Sequence, residues 1–146
     1  MSAEEFYVDT NLIIRFLTND DPVQSPIALE VFKGVVNGKI TLILTSHIIA
    51  ECCWVLESSR YQYTPRDIAS KLSQIIESPG IKVDEKEVLL TSLEAYQSKN
   101  VDFIDGYLST LASKNKKSIL TWNKKHFKRL AGEFYSPEAV IESINN

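Results

Sequence analysis

Cysteine is nearly absent from the chain, and the two that occur, Cys52 and Cys53, are neighbours. Adjacent cysteines rarely reach the geometry of an unstrained disulfide, so a disulfide scaffold is excluded and reduced, buried thiols are expected. Histidine is equally scarce. With only His47 and His126, far apart in sequence, a structural zinc site is not indicated. There is no basic excess: the formal net charge is -3 and 24% of residues are charged, which excludes a globally basic nucleic-acid binder and a disordered composition. Any polyanion must be met by a local patch. No apolar stretch approaches the roughly 20 residues that span a bilayer, and Met1-Ser2-Ala3-Glu4-Glu5 lacks a basic leader, so a soluble, cytoplasmic protein is expected. Repeats, low-complexity tracts and Gly/Ser linkers are also missing. At 146 residues with 44% hydrophobic content, one globular domain over residues 1–146 is expected.

What the chain does have is an alternation of strand-like and helix-like segments. Phe6-Tyr7-Val8, Ile40-Thr41-Leu42-Ile43-Leu44, Ile81-Lys82-Val83 and Ser118-Ile119-Leu120-Thr121 read as strands. Helical spacing follows the first strand through Leu12, Ile13, Phe16 and Leu17. Helices are also expected from Pro22 to Asn37, from Thr45-Ser46 to about Ser58, over Thr64 to Glu77, from the cap Asp84 through Tyr96, and over Val101 to Ser113. Gly38 and Ser78-Pro79-Gly80 supply stops. Connections of helical length between strands predict a three-layer α/β/α sandwich on a central parallel sheet of four to five strands. Ligands of such sheets bind beyond the carboxyl ends of the strands. Asp9, Glu51 and Asn123 follow three of those ends and can converge at one edge.

Three apolar runs each enclose an acid: Phe6 to Ile13 around Asp9, Ile48 to Leu56 around Glu51, and Val101 to Leu108 around Asp102 and Asp105. A carboxylate withdrawn from water is costly unless a cation or hydrogen-bond donors compensate it, and three such costs in one small chain predict a shared metal ion. Asp102 and Asp105, three apart, lie on one face of a helix. Competing roles exist for each acid: a helix N-cap for Asp102 and for Asp9, and an exposed position on a polar helix face for Glu51. Ile104, Leu108 and Leu111 predict buried surroundings for Asp105.

Tyr7-Val8-Asp9-Thr10-Asn11, Ile49-Ala50-Glu51, Val101-Asp102-Phe103-Ile104-Asp105 and Leu120-Thr121-Trp122-Asn123-Lys124 together resemble the PIN-domain nucleases, in particular the VapC-type toxins of bacterial toxin–antitoxin pairs. The resemblance runs in order over nearly the whole chain. It implies a metal-binding core of Asp9, Glu51 and Asp105, with Asp102 as an accessory acid and Thr10, Asn11 and Thr121 as supporting polar groups. It also implies a homodimer and a small antitoxin partner. The family often has an acid where this chain has Asn123, which brings no charge and leaves a second metal open.

Carboxylate ligands without His or Cys favour Mg²⁺ or Mn²⁺, cations suited to phosphodiester hydrolysis. The expected activity is metal-dependent endoribonuclease cleavage of RNA. Lys114, Lys116, Lys117, Lys124, Lys125, Lys128 and Arg129 crowd the region of the fourth strand, and Arg15 lies one helix from Asp9. Of these, Arg15, Lys124, Lys125 and Lys128 are the candidates for gripping an RNA backbone. A solvated, dipole-compensating face is their bland alternative. A noncatalytic RNA-binding or scaffold module with a degenerate metal site is the rival function. A phosphatase of the haloacid dehalogenase type would want a second Asp where Asn11 stands.

Overall fold

In the computed structural model, residues 3–146 are described; Met1 and Ser2, which open the segment read above as lacking a leader, lie outside them. The chain divides into two compact units, Met1–Lys86 and Glu87–Asn146.

The first unit runs β1 (Glu4–Tyr7), α1 (Thr10–Thr18), α2 (Gln24–Val36), β2 (Ile40–Leu44), α3 (Ser46–Glu57), α4 (Pro65–Glu77) and β3 (Ile81–Val83). Its three strands form a parallel sheet in the order β1-β2-β3, with Phe6 opposite Leu42 and Leu42 opposite Ile81. The middle strand buries Leu42 and Leu44. Sequence punctuation sets the helix ends. Thr45 and Thr64 place their hydroxyls on the Ile48 and Asp67 N–H groups, and Pro65 occupies the first turn of α4. Asn19 ends α1 in a left-handed conformation at φ 51°, and Gly38 turns the chain after α2 at φ 75°.

Two expectations shift slightly in this unit. The helix expected from Pro22 begins at Gln24, because Pro22 and Val23 form a turn in which the Asp21 carboxylate accepts from the Val23 and Gln24 N–H groups. The core of α1 is Ile13 and Ile14, while Phe16 stacks on Phe32 of α2 with ring centroids 3.9 Å apart. The apolar residues of α4, Ile68, Leu72, Ile75 and Ile76, are buried within the chain. Those of α2 differ: Ile27, Leu29 and Val36 face solvent.

The second unit holds nearly all of α5 (Lys86–Ser98), then α6 (Phe103–Lys114), β4 (Ile119–Leu120), α7 (Lys124–Phe127), β5 (Phe134–Tyr135) and α8 (Pro137–Ile144). Strands β4 and β5 pair in parallel, Ile119 with Phe134 and Leu120 with Tyr135. Helices α5 and α6 approach closely at Gly106, where an added Cβ would stand 3.3 Å from the Ser92 carbonyl. The sequence reading anticipated α5 and α6 but not α7, β5 or α8. Elements of four and two residues offer no periodicity to read, and α8 buries no residue. Its start was nevertheless written as Ser136-Pro137, the same cap-then-proline pattern that opens α4. The sheet of four to five strands expected is thus five strands in two parallel sheets, and no helix is long and apolar enough to cross a membrane among the described residues.

Asp20, in the turn between α1 and α2, is the most heavily bonded acid of the first unit. It accepts from Tyr61 Oη at 2.6 Å, Thr18 Oγ1 at 2.7 Å, and Arg15 and Arg60 at 3.1 Å. Tyr61 foremost, then Thr18 and Arg15, hold its carboxyl far below the usual carboxylate range. A depressed folded-state pKa stabilises above the ordinary carboxylate pKa, and that stabilisation is lost as pH falls through the folded value. Asp20→Asn should therefore lower stability at pH 7 by about 1 kcal/mol after allowance for solvent screening. Denaturant melts from pH 7 down to pH ~2 should show the gap from wild type narrowing only below about pH 4; a gap unchanged at acid pH would contradict the assignment.

Candidate metal centre

In the first unit the chain leaves β1 through Val8 and turns at Asp9, which adopts extended backbone as the N-cap of α1. Asp9 Oδ1 accepts from the Thr10 N–H at 2.8 Å. The buried Thr10 hydroxyl donates to Glu51 Oε2 at 2.6 Å, tying the start of α1 to the middle of α3. Glu51 Oε1 lies 2.9 Å from Nε2 of His47, one turn earlier on α3. The Thr10 bond foremost, with the His47 charge, holds the Glu51 carboxyl below its ordinary range despite partial desolvation. Burial, together with the charges of Glu51 and Asp9, pushes the Cys52 thiol up to about 12; burial likewise raises Cys53. Both cysteines are free and buried, as expected.

In the second unit Asp102 stands at the N-cap position of α6 and Asp105 in its first turn. Asp105 Oδ2 accepts from Asn123 Nδ2 at 3.3 Å and lies 2.7 Å from His126 Nδ1. Asn123 uses its other end as well: Oδ1 accepts from the His126 N–H at 3.2 Å and caps α7. The Thr121 hydroxyl accepts from the Asn123 N–H at 2.9 Å and holds the turn after β4. One donor atom from each of Asp102, Asp105 and His126 lies within 4.8 Å of the others.

These placements correct parts of the sequence reading. The acids are not sealed from water: Asp9 and Asp102 are exposed and Glu51 and Asp105 half-buried, because Phe6, Tyr7, Ile104 and Leu108 beside them are themselves exposed. The desolvation argument for a metal therefore gives way to one from donor geometry. Asp102 occupies an N-cap position, yet its side chain makes no capping hydrogen bond. Arg15 is engaged by Asp20, Gln24 and Tyr61, whereas Lys124, Lys125 and Lys128 are exposed. Asn11 is exposed on the first turn of α1. His126 entered the sequence reading only as too far from His47 for a structural zinc site; the signal that could have found it is the spacing Asn123-x-x-His126, which puts the imidazole one turn beyond a helix cap.

A chain with parallel strands and helices between them is an α/β protein, and Asp9 stands where the first of those strands hands over to a helix. The PIN domain family model matches residues 6–133, and the chain belongs to that family. Its element content is consistent with the α/β/α sandwich class. PIN domains are in general metal-dependent nucleases that bind divalent metals. No curated protein matches the chain significantly.

The donor set fits a divalent ion. Two carboxylates and an imidazole each offer a lone pair, with one donor atom of each within 4.8 Å of the others, and oxygen and imidazole nitrogen are both ligands that divalent ions accept. Thr10 is the group that orients Glu51. Thr10→Val, which keeps shape and removes the hydroxyl, should return Glu51 protonation toward higher pH and weaken divalent-metal binding by roughly 10-fold. Mn²⁺ titration calorimetry beside a thermal melt checks this, with the melting temperature expected near wild type; unchanged affinity would show that the hydroxyl does not serve the metal.

Proposed function

We propose that this chain is a metal-dependent endoribonuclease that hydrolyses phosphodiester bonds in RNA, and that it is the toxin of a toxin–antitoxin pair. The observation that carries the nuclease reading is the gathering of Asp102 and Asp105, at the start of α6, around His126 in a PIN chain. Asp9, Glu51 and Asp105 are the proposed metal-binding acids and Asp102 the accessory acid, with Thr10, Asn11, Thr121 and Asn123 in support. A bound Mg²⁺ or Mn²⁺ supplies Lewis acidity toward water and the phosphate oxygens. Glu51, kept ionised by Thr10, orients the attacking water and accepts its proton. Exposed Lys124, Lys125 and Lys128 hold the phosphates flanking the scissile bond.

The toxin role rests on the resemblance of the motifs. It carries with it a small antitoxin protein and a homodimer, for which the exposed Ile27, Leu29 and Val36 on α2 offer apolar surface. Reduced, buried cysteines suit a cytoplasmic setting. A noncatalytic RNA-binding or scaffold module is the second reading. It is favoured by Asn123, whose amide brings no charge and is engaged at both ends.

Purified protein incubated with a mixed cellular RNA pool in Mg²⁺ or Mn²⁺ should give discrete fragments. Asp105→Asn should reduce the rate by about two orders of magnitude or more, and excess chelator should abolish cleavage. Cleavage that survives chelator would defeat the metal mechanism. RNA binding without cleavage, in protein that binds no metal, would establish the noncatalytic module instead.

A further inference from the structure

We propose that His126 is itself a metal ligand, so that the centre is a mixed nitrogen–oxygen site that favours Mn²⁺ over Mg²⁺. This rests on the nuclease reading above and extends it to a residue outside the acidic set. The imidazole Nδ1 stands 2.7 Å from Asp105 Oδ2, close to the about 3 Å that separates adjacent ligands on an ion held at about 2.1 Å. Asp102 completes the group, its carboxylate within 4.8 Å of both. Three donors of two kinds, from the start of α6 and from α7, thus face one small volume.

His126 is held in this position from several directions. Asn123 Oδ1 caps α7 by accepting the His126 backbone N–H, and Asn123 Nδ2 donates to the same Asp105 oxygen that meets the imidazole. The next residue, Phe127, is buried and packs on Phe134 with ring centroids 6.3 Å apart, which anchors the short helix. The imidazole is only 22% exposed and Asp105 17%. A surface histidine free to rotate would have neither the backbone anchor nor the half-buried setting.

Donor chemistry sets the consequence. Mg²⁺ prefers oxygen ligands in near-ideal octahedral geometry and keeps several waters, whereas imidazole nitrogen favours transition ions. Asn123 contributes an amide in place of a carboxylate, so the second unit meets the ion with two negative charges and one neutral nitrogen. Such a set loses more by exchanging Mn²⁺ for Mg²⁺ than an all-carboxylate set does.

The alternative role for His126 is to hydrogen-bond Asp105 and orient it without touching the ion, and the test separates the two. Tag-free protein at pH 8 is loaded with Mn²⁺ and examined by electron spin-echo spectroscopy for imidazole nitrogen coupling. The chain has two histidines, so His47→Ala leaves His126 as the sole imidazole, and this variant is informative even if changes at His126 unfold the protein. Coupling should persist in His47→Ala and vanish in His126→Ala and His126→Gln. By calorimetry, both His126 variants should bind Mn²⁺ at least about 10-fold more weakly, with Mg²⁺ affinity changed less than about threefold. Bound Mn²⁺ without nitrogen coupling, coupling lost in His47→Ala, or equal losses for the two ions would overturn the assignment while leaving the nuclease reading intact. No metal binding by the wild type would overturn both. Nitrogen coupling in a protein that cleaves no RNA would keep the ligand and remove the nuclease.

Discussion

Asp9 caps α1 in the first unit, while in the second Asp102 stands at the N-cap of α6 with Asp105 in its first turn and Asn123 caps α7, so in each unit candidate polar groups are set at helix starts. The first N–H groups of a helix have no intrahelical acceptor, and the aligned peptide dipoles place positive potential there. Asp9, Asp102 and Asp105 owe their positions to where a helix begins, whereas Glu51 sits in the middle of α3 and is reached by the Thr10 hydroxyl.

Much of this was legible in the sequence because it is written locally. Thr45 and Thr64 announced their helices, Gly38 ended one, and the five-residue run Ile40–Leu44 became β2 with its limits unchanged. The bond from the Thr10 hydroxyl to Glu51 was not readable, since 41 residues separate the two. What escaped was tertiary. The apolar neighbours of Asp9 and Asp105 looked like walls of a dry pocket, yet Tyr7 and Leu108 are exposed. Hydrophobic neighbours in sequence say which residues share a segment, not which of them face inward. His126 escaped for the same reason, since 21 residues separate it from Asp105 and only the folded loop closes that gap.

The two histidines of the chain each end beside a candidate acid of their own unit, His47 on Glu51 and His126 on Asp105. Their settings differ. His47 shares a helix with its partner one turn apart and is largely exposed, whereas His126 comes from a separate element and is half-buried. The first is the geometry of a surface pair that moderates a carboxylate; the second is the geometry of a group that joins it. Asn123 connects the two readings of the site, because the amide that brings no charge is also the brace that delivers the imidazole.

Cys52 lies one residue from Glu51, fully enclosed, with its thiol raised to about 12. At neutral pH only about one molecule in a hundred thousand carries the thiolate there, and thiolate is the species that oxidants and alkylating agents attack. Peroxide, which attacks activated thiols, therefore meets at Cys52 a thiol that is enclosed and protonated.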